Sequence, residues 1–253
     1  MKTPIIIANW KLHHKTVKQA VSLAEKIKKK LESSNISTVK VSIAPSIIHL
    51  LGVKDVLSGG LISLASQTVS TCDLGAHTGE IAAVQLKSAG VKFVIIGHSE
   101  RRSGGVNDDD VKIKTSSALS AGLTPVICVG ESQRDKSGKF FTEIENQLKT
   151  ALLNLPPDRI KKIIIAYEPV WAIGTGKVAT VEIVREMKIF IEGVIARLYN
   201  RDLASRVQII YGGSVKPDNV VSLWKESDMS GFLVGGASLK ASDFTKIVLA
   251  VAQ

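Results

Sequence analysis

Glu168 follows the apolar run Ile163-Ile164-Ile165-Ala166 and Tyr167, and stands directly before Pro169. A carboxylate placed there is expected at the rim of a sheet, partly withdrawn from water, where it suits a general base. An ordinary strand-end ion-pair partner is the plainer alternative. His98 lies between Gly97 and the segment Ser99-Glu100-Arg101-Arg102, which is expected to open a helical turn. A helix N-terminus disfavours the imidazolium, which leaves a neutral ring able to donate to a carbonyl oxygen. The other four histidines, His13, His14, His49 and His77, are read as structural. Lys11 follows another apolar run and offers a fixed cation for an anion or a developing oxyanion.

Two glycine clusters add an anion cradle. Gly212-Gly213-Ser214 and Gly235-Gly236 each follow an apolar run, and backbone N–H groups in such turns can approach a phosphate closely. Each pair alone reads more readily as a tight turn; two on successive runs favour phosphate. Other phosphate motifs fail. Gly176-Lys177 resembles the end of a P-loop, but Trp171 occupies the position of its first glycine and Val178 that of its Ser/Thr. No GxGxxG follows a strand, so no nucleotide cofactor is expected. A base, a neutral donor, a cation and a phosphate cradle suit proton transfer beside the carbonyl of a sugar phosphate, with no cofactor and no metal.

These residues need a scaffold that brings distant loops to one rim. Apolar, β-branched runs occupy residues 4–8, 39–44, 61–65, 91–96, 124–129, 163–166, 207–211 and 232–234. Each is nearly continuous in apolar character, as in parallel strands covered on both faces. Helical stripes lie between them: Val17, Val21, Ala24, Ile27 and Leu31; Ile144, Leu148, Ala151 and Leu152; Val181, Val184, Met187, Ile191, Val194 and Leu198. Thr180 reads as the cap of the last of these, and Ser242-Asp243 as a start signal near the final helix. Eight units of about 32 residues match the β-α repeat of a closed (β/α)8 barrel. Doubly wound open sheets usually stop at five or six strands. No Pro/Gly/Ser-rich linker interrupts the chain, so residues 1–253 are expected to form one α/β domain. In such barrels chemistry sits at the C-terminal ends of the strands, where the residues above fall.

Composition narrows the field further. The 253 residues are 45% hydrophobic and 22% charged, a globular composition. The charge is 33 − 23 = +10. Acids are scattered among the lysines, with no RGG tract, finger spacing or aromatic–basic interleaving, so no nucleic-acid partner is expected. Cys72 and Cys128 are far apart in sequence and form no CxxC, which fits a reducing compartment. No run reaches the ~18 residues of a membrane span, and the apolar stretch at the N-terminus is too short for a signal peptide. A cytoplasmic protein without membrane attachment is expected.

Five segments together resemble the triosephosphate isomerase family in order and spacing. They are Ala8-Asn9-Trp10-Lys11, Gly97-His98-Ser99-Glu100-Arg101-Arg102, Ala166-Tyr167-Glu168-Pro169-Val170-Trp171-Ala172-Ile173-Gly174-Thr175-Gly176, Tyr211-Gly212-Gly213-Ser214-Val215 and Leu233-Val234-Gly235-Gly236-Ala237-Ser238-Leu239. The family is itself a standard illustration of a glutamate base paired with a neutral histidine, so these roles are carried over. The resemblance implies a TIM barrel that interconverts dihydroxyacetone phosphate and D-glyceraldehyde 3-phosphate through an enediolate. It implies Glu168 as base, His98 and Asn9 as donors to the substrate oxygens, Lys11 as the balancing cation, and Glu100 as a supporting carboxylate. Gly174, Ser214, Gly235 and Gly236 match the phosphate-binding positions. Residues about 169–179 match the closing loop, with Tyr211 and Ser214 as its latch, and residues about 72–82, carrying Thr78, match the interdigitating loop of a homodimer. Leu12-His13-His14, His77 and Asn107 depart from the family pattern, which commonly has Met-Asn-Gly, an aromatic and a buried glutamate there. These departures bear on the interface rather than the chemical centre. Two other readings compete: another phosphate-binding barrel enzyme, such as a phosphoribosyl isomerase or an aldolase, and an idle barrel that binds nucleic acid through its lysines.

Overall fold

Apolar runs flanked by amphipathic helices bury both faces most completely when the strands close on themselves, leaving no edge. A computed structural model of the chain describes residues 2–34, 36–173 and 178–252, and in it eight parallel strands close into one barrel in sequence order. β1 (Ile5–Asn9) leads to α1 (Val17–Glu32), β2 (Lys40–Ala44) to α2 (Leu50–Leu57), and β3 (Ile62–Ser66) to α3 (Ala83–Ser88). β4 (Val91–Ile96) is followed by α4 (Ser99–Ser103) and α5 (Asp108–Ser120). β5 (Thr124–Val129) is followed by α6 (Lys139–Leu152) and the short α7 (Pro157–Ile160). β6 (Ile164–Tyr167) precedes α8 (Val181–Leu198) and α9 (Arg201–Arg206). β7 (Gln208–Tyr211) precedes α10 (Val220–Glu226), and β8 (Gly231–Val234) precedes α11 (Ala241–Ala252).

The barrel closes where β8 pairs with β1, Ile5 opposite Gly231 and Ala8 opposite Val234. A Cβ on Gly231 would lie 1.9 Å from the Ile5 carbonyl oxygen, and its φ is +143°, so only glycine fits at this seam. Period-2 alternation divides the core in two. Ile5, Ile7, Phe93, Ile95, Val126 and Ile164 belong to the cluster that fills the barrel. Their neighbours Ile6, Val94, Ile127 and Ile165 join the larger cluster made with the helices.

Strands 4 and 5 match their apolar runs residue for residue. Strands 1, 3 and 6 end one residue later, on Asn9, Ser66 and Tyr167, because backbone pairing with Ala44, Val94 and Val129 continues past the point where hydropathy falls. Asn9 is therefore the last residue of β1 rather than the first of its loop. On α1 the buried stripe is Ala20, Leu23, Ala24, Ile27 and Leu31. Val17, 48% exposed, and the half-buried Val21 lie over Gly52 of α2 and not in the buried stripe where they were expected. The stripe on α6 is buried throughout, and on α8 Val184, Met187, Ile191 and Val194 are buried while the end positions Val181 and Leu198 are not. Thr180 caps α8, its side chain accepting from the Ile183 N–H.

Candidate active site

The C-terminal ends of the strands surround a cleft of about 120 Å³ lined by Asn9, Lys11, His98, Ile173, Gly212, Gly213, Ser214, Leu233 and Gly235. Strands 1, 4, 7 and 8 thus meet at one place although more than two hundred residues separate Asn9 from Gly235.

Lys11 has a left-handed backbone, φ +49°, unusual for a residue with a long side chain. It is held there. Its carbonyl accepts from Gln67 Nε2 and from Ser46 Oγ, each at 3.0 Å, and its N–H donates to Asn9 Oδ1 at 3.2 Å. Gln67 also donates to the carbonyl of Ala44 at the end of β2. The ammonium donates to Glu100 Oε1 at 2.5 Å. Gln67 and Ser46 follow strands 3 and 2, whose ends carry no ionisable residue.

His98 is the cap of α4. Its Nδ1 accepts the Glu100 N–H at 3.2 Å. With a lone pair required at Nδ1, the neutral ring carries its proton on Nε2. That nitrogen lies 3.1 Å from Glu168 Oε1. Glu168 is not partly exposed at the rim, as its place before Pro169 suggested; it is 1% exposed and does not line the cleft. Its Oε2 accepts the Ser99 N–H at 2.8 Å, and its Cγ packs beneath Gly212. Burial raises its pKa above the usual carboxylate range, against the opposing effects of His98, the Ser99 N–H and Lys11. Burial likewise raises the thiol of Cys128, next to Glu168 inside the barrel.

A second buried carboxylate escaped the sequence reading. Glu131 follows β5 and is fully buried; its Oε1 accepts from the Tyr167 hydroxyl at 2.9 Å and from Trp171 Nε1 at 2.8 Å, with Arg134 at 3.5 Å. It ties the residues on both sides of Glu168 to the neighbouring strand. The Gly130-Glu131 pair directly after an apolar run was the available signal.

On the far side of the cleft Ser214 and Gly235 line the wall, and Gly236 opens a 3-10 turn, Gly236–Leu239. Ser238 donates to the Gly235 carbonyl from both its N–H and its hydroxyl, fixing that turn. Gly213 is required by Tyr211, whose hydroxyl would lie 2.2 Å from a Cβ there. Gly174 and the tip of the expected closing loop lie outside the described residues. Asn107 is exposed and caps α5 through a reciprocal pair with Asp110, while Arg102 meets Asp108 at 2.6 Å. His14 rests against Trp10, ring centroids 4.8 Å apart, and faces the buried His49 at 6.4 Å. Among the described residues no cluster of His, Cys, Asp and Glu could hold a metal ion, and no helix is long and apolar enough to cross a membrane.

The whole chain has close counterparts. The family model described as triosephosphate isomerase matches residues 4–251. A triosephosphate isomerase of Thermoanaerobacter pseudethanolicus is 47% identical over 251 residues, covering 98% of this chain and 99% of its own. One from Geotalea uraniireducens is 44% identical over 250 residues, 98% of each. The crystal structure of triosephosphate isomerase from Bartonella henselae superposes with a TM-score of 0.87 at 35% identity, covering 100% of both chains.

Proposed function

The chain belongs to the triosephosphate isomerase family, and from that premise we propose how its residues interconvert dihydroxyacetone phosphate and D-glyceraldehyde 3-phosphate. The observation that carries the assignment is the 3.1 Å approach of a buried carboxylate, Glu168, to the proton-bearing Nε2 of His98 at one end of the cleft. Glu168 removes a proton from the carbon beside the substrate carbonyl. His98 Nε2–H and the Asn9 amide donate to the oxygens on which negative charge develops, and Lys11 balances that charge and part of the phosphate's. The protonated Glu168 then returns the proton to the neighbouring carbon, giving the aldose from the ketose. A neutral imidazole suits this work because its donor strength is delivered without moving a full charge into the site.

Glu168 does not line the cleft, so it must leave the Ser99 N–H and turn toward the substrate before it can act. Closure of residues about 169–179, latched by Tyr211 and Ser214, accompanies that movement and excludes water from the enediolate. The phosphate sits at the N–H groups of Gly174, Ser214, Gly235 and Gly236.

A homodimer follows from the same assignment. Leu12, Ile48, Leu51 and Leu74 are large apolar residues at least 60% exposed, and all lie beyond the ends of the neighbouring strands β1, β2 and β3. A second copy of the chain would cover them, with the loop about 72–82 carrying Thr78 toward its partner's site. The two free cysteines fit a reducing cytoplasm.

The test is Glu168→Gln in an assay coupled to triose-phosphate turnover. Isomerisation should fall by about 10³-fold or more while an enediolate mimic of the phosphoglycolate type still binds. Retained turnover would remove Glu168 as the base.

A further inference from the structure

We propose that Gln147, on the buried face of α6, is a positioning residue for Glu168 and for the first turn of the closing segment. The inference rests on the assignment of Glu168 as the base. Gln147 is 7% exposed and stands among Ile144, Leu148 and Ala151, where a purely structural helix face would carry another aliphatic side chain. A buried amide is costly unless its donor and acceptor are both used. Here both go to one residue: Oε1 accepts the Gly130 N–H at 2.9 Å and Nε2 donates to the Gly130 carbonyl at 3.0 Å. The side chain acts as a strand partner would, at the point where the β5–β6 ladder has run out after Val129 and Tyr167.

Gly130 is the middle of a three-residue saddle beneath the base. The Glu168 N–H donates to the Val129 carbonyl at 2.8 Å and the Val170 N–H to the Glu131 carbonyl at 3.1 Å. Between these two bonds the Gly130 Cα abuts the Glu168 carbonyl so closely that a Cβ would lie 1.7 Å from it. No side chain can therefore be placed at residue 130 to orient its peptides, and a rotation there would displace the Glu168 backbone. Gln147 supplies the orientation from the adjacent helix instead. The Glu168 carboxylate, held at 2.8 Å from the Ser99 N–H, inherits that placement through its own backbone.

Two variants of the enzyme test this. Gln147→Leu keeps the approximate size and removes both bonds. It should lower kcat about tenfold or more with KM changed less than about twofold, because misplacing a base costs turnover rather than binding. The acid limb of its kcat/KM profile should move to higher pH as Glu168 loses alignment with the Ser99 N–H. Gln147→Glu is the second variant. A protonated carboxyl there can still donate to the Gly130 carbonyl and an ionised one cannot, so its activity relative to the unaltered enzyme should recover as pH falls. A purely structural role would lower the melting temperature and leave both profiles in place. A folded Gln147→Leu enzyme with kcat within about twofold of normal and an unmoved acid limb would overturn the proposal, as would a Gln147→Glu ratio that does not change with pH. Run in parallel, Glu168→Gln separates the failures: if it is inactive while Gln147→Leu is fully active, only this inference falls, and if it is active, the assignment of the base falls first.

Discussion

Glu168 is stored in a protonation-sensitive position. Its burial favours the neutral acid, yet the proton abstraction proposed for it requires the anion. The consequence for activity has a definite sign. kcat/KM should fall as pH drops through a value above the usual carboxylate range, and a pH profile of the free enzyme reads that limb directly; a limb at an ordinary carboxylate value would contradict the burial. The consequence for folding runs the other way. A raised pKa means that the stability contributed by the protonated side chain is present at low pH and lost as pH rises through that pKa. At neutral pH the ionised base therefore weakens the fold. Replacing it with glutamine, the variant that should abolish turnover, should raise the melting temperature at pH 7, with the gain shrinking in acid. Equal or lower melting at pH 7 would mean that His98 and the Ser99 N–H fully offset the burial. Lys11 makes a similar compromise in its backbone, where an unfavourable φ is kept by the hydrogen bonds of Gln67 and Ser46 to its carbonyl.

At the scale of elements, each strand delivers one short polar segment and the helix after it fixes where that segment ends. α4 shows the coupling: its cap is His98, so the same hydrogen bond that starts the helix also sets the tautomer on which the proposed role of His98 depends. α8 begins at Thr180, immediately beyond the expected closing segment, and its cap anchors the C-terminal end of that segment. Thr180→Ala should cost about 1 kcal/mol of stability, measured by urea unfolding, since it leaves the Ile183 N–H without its acceptor. A loss well below that would mean that water replaces the cap. The residues that sequence reading passed over belong to this scale too. Ser46, Gln67 and Glu131 follow strands 2, 3 and 5 and act on the backbone or side chains of neighbouring strands, a role that has no motif of its own. Gln147 reads in sequence as an interruption of an apolar helix face; only the Gly130 peptide beside it explains why an amide is there.

For the whole molecule, closure decides most. Eight units in sequence order leave no free sheet edge, and the candidate site residues Asn9, Lys11, His98 and Ser214 are gathered at one end of the barrel. The same end carries the exposed apolar residues Leu12, Ile48 and Leu74, which a single chain leaves in water. Sedimentation velocity should give a species of twice the 27.1 kDa chain mass, and Leu74→Asp should shift it toward the monomer. A wild-type chain that sediments as a monomer at micromolar concentration would remove the proposed dimer. Of the +10 charge, Lys11 is the cation among the described residues that line the cleft, and it is already paired with Glu100.

The sequence alone specifies the class of fold, because eight apolar runs alternating with amphipathic helices can be buried on both faces only by parallel strands with helices outside. It also determined the types of group at the strand ends, Glu168, His98, Lys11 and two glycine turns, since these lie in short contiguous segments. Tertiary structure alone decided their states. That Glu168 is withdrawn from the cleft, that His98 carries its proton on Nε2, and that Lys11 and Gly130 are held by Gln67 and Gln147 all depend on groups far apart in the chain. Desolvation and hydrogen bonding are properties of neighbours in space, and no local pattern of residues encodes them.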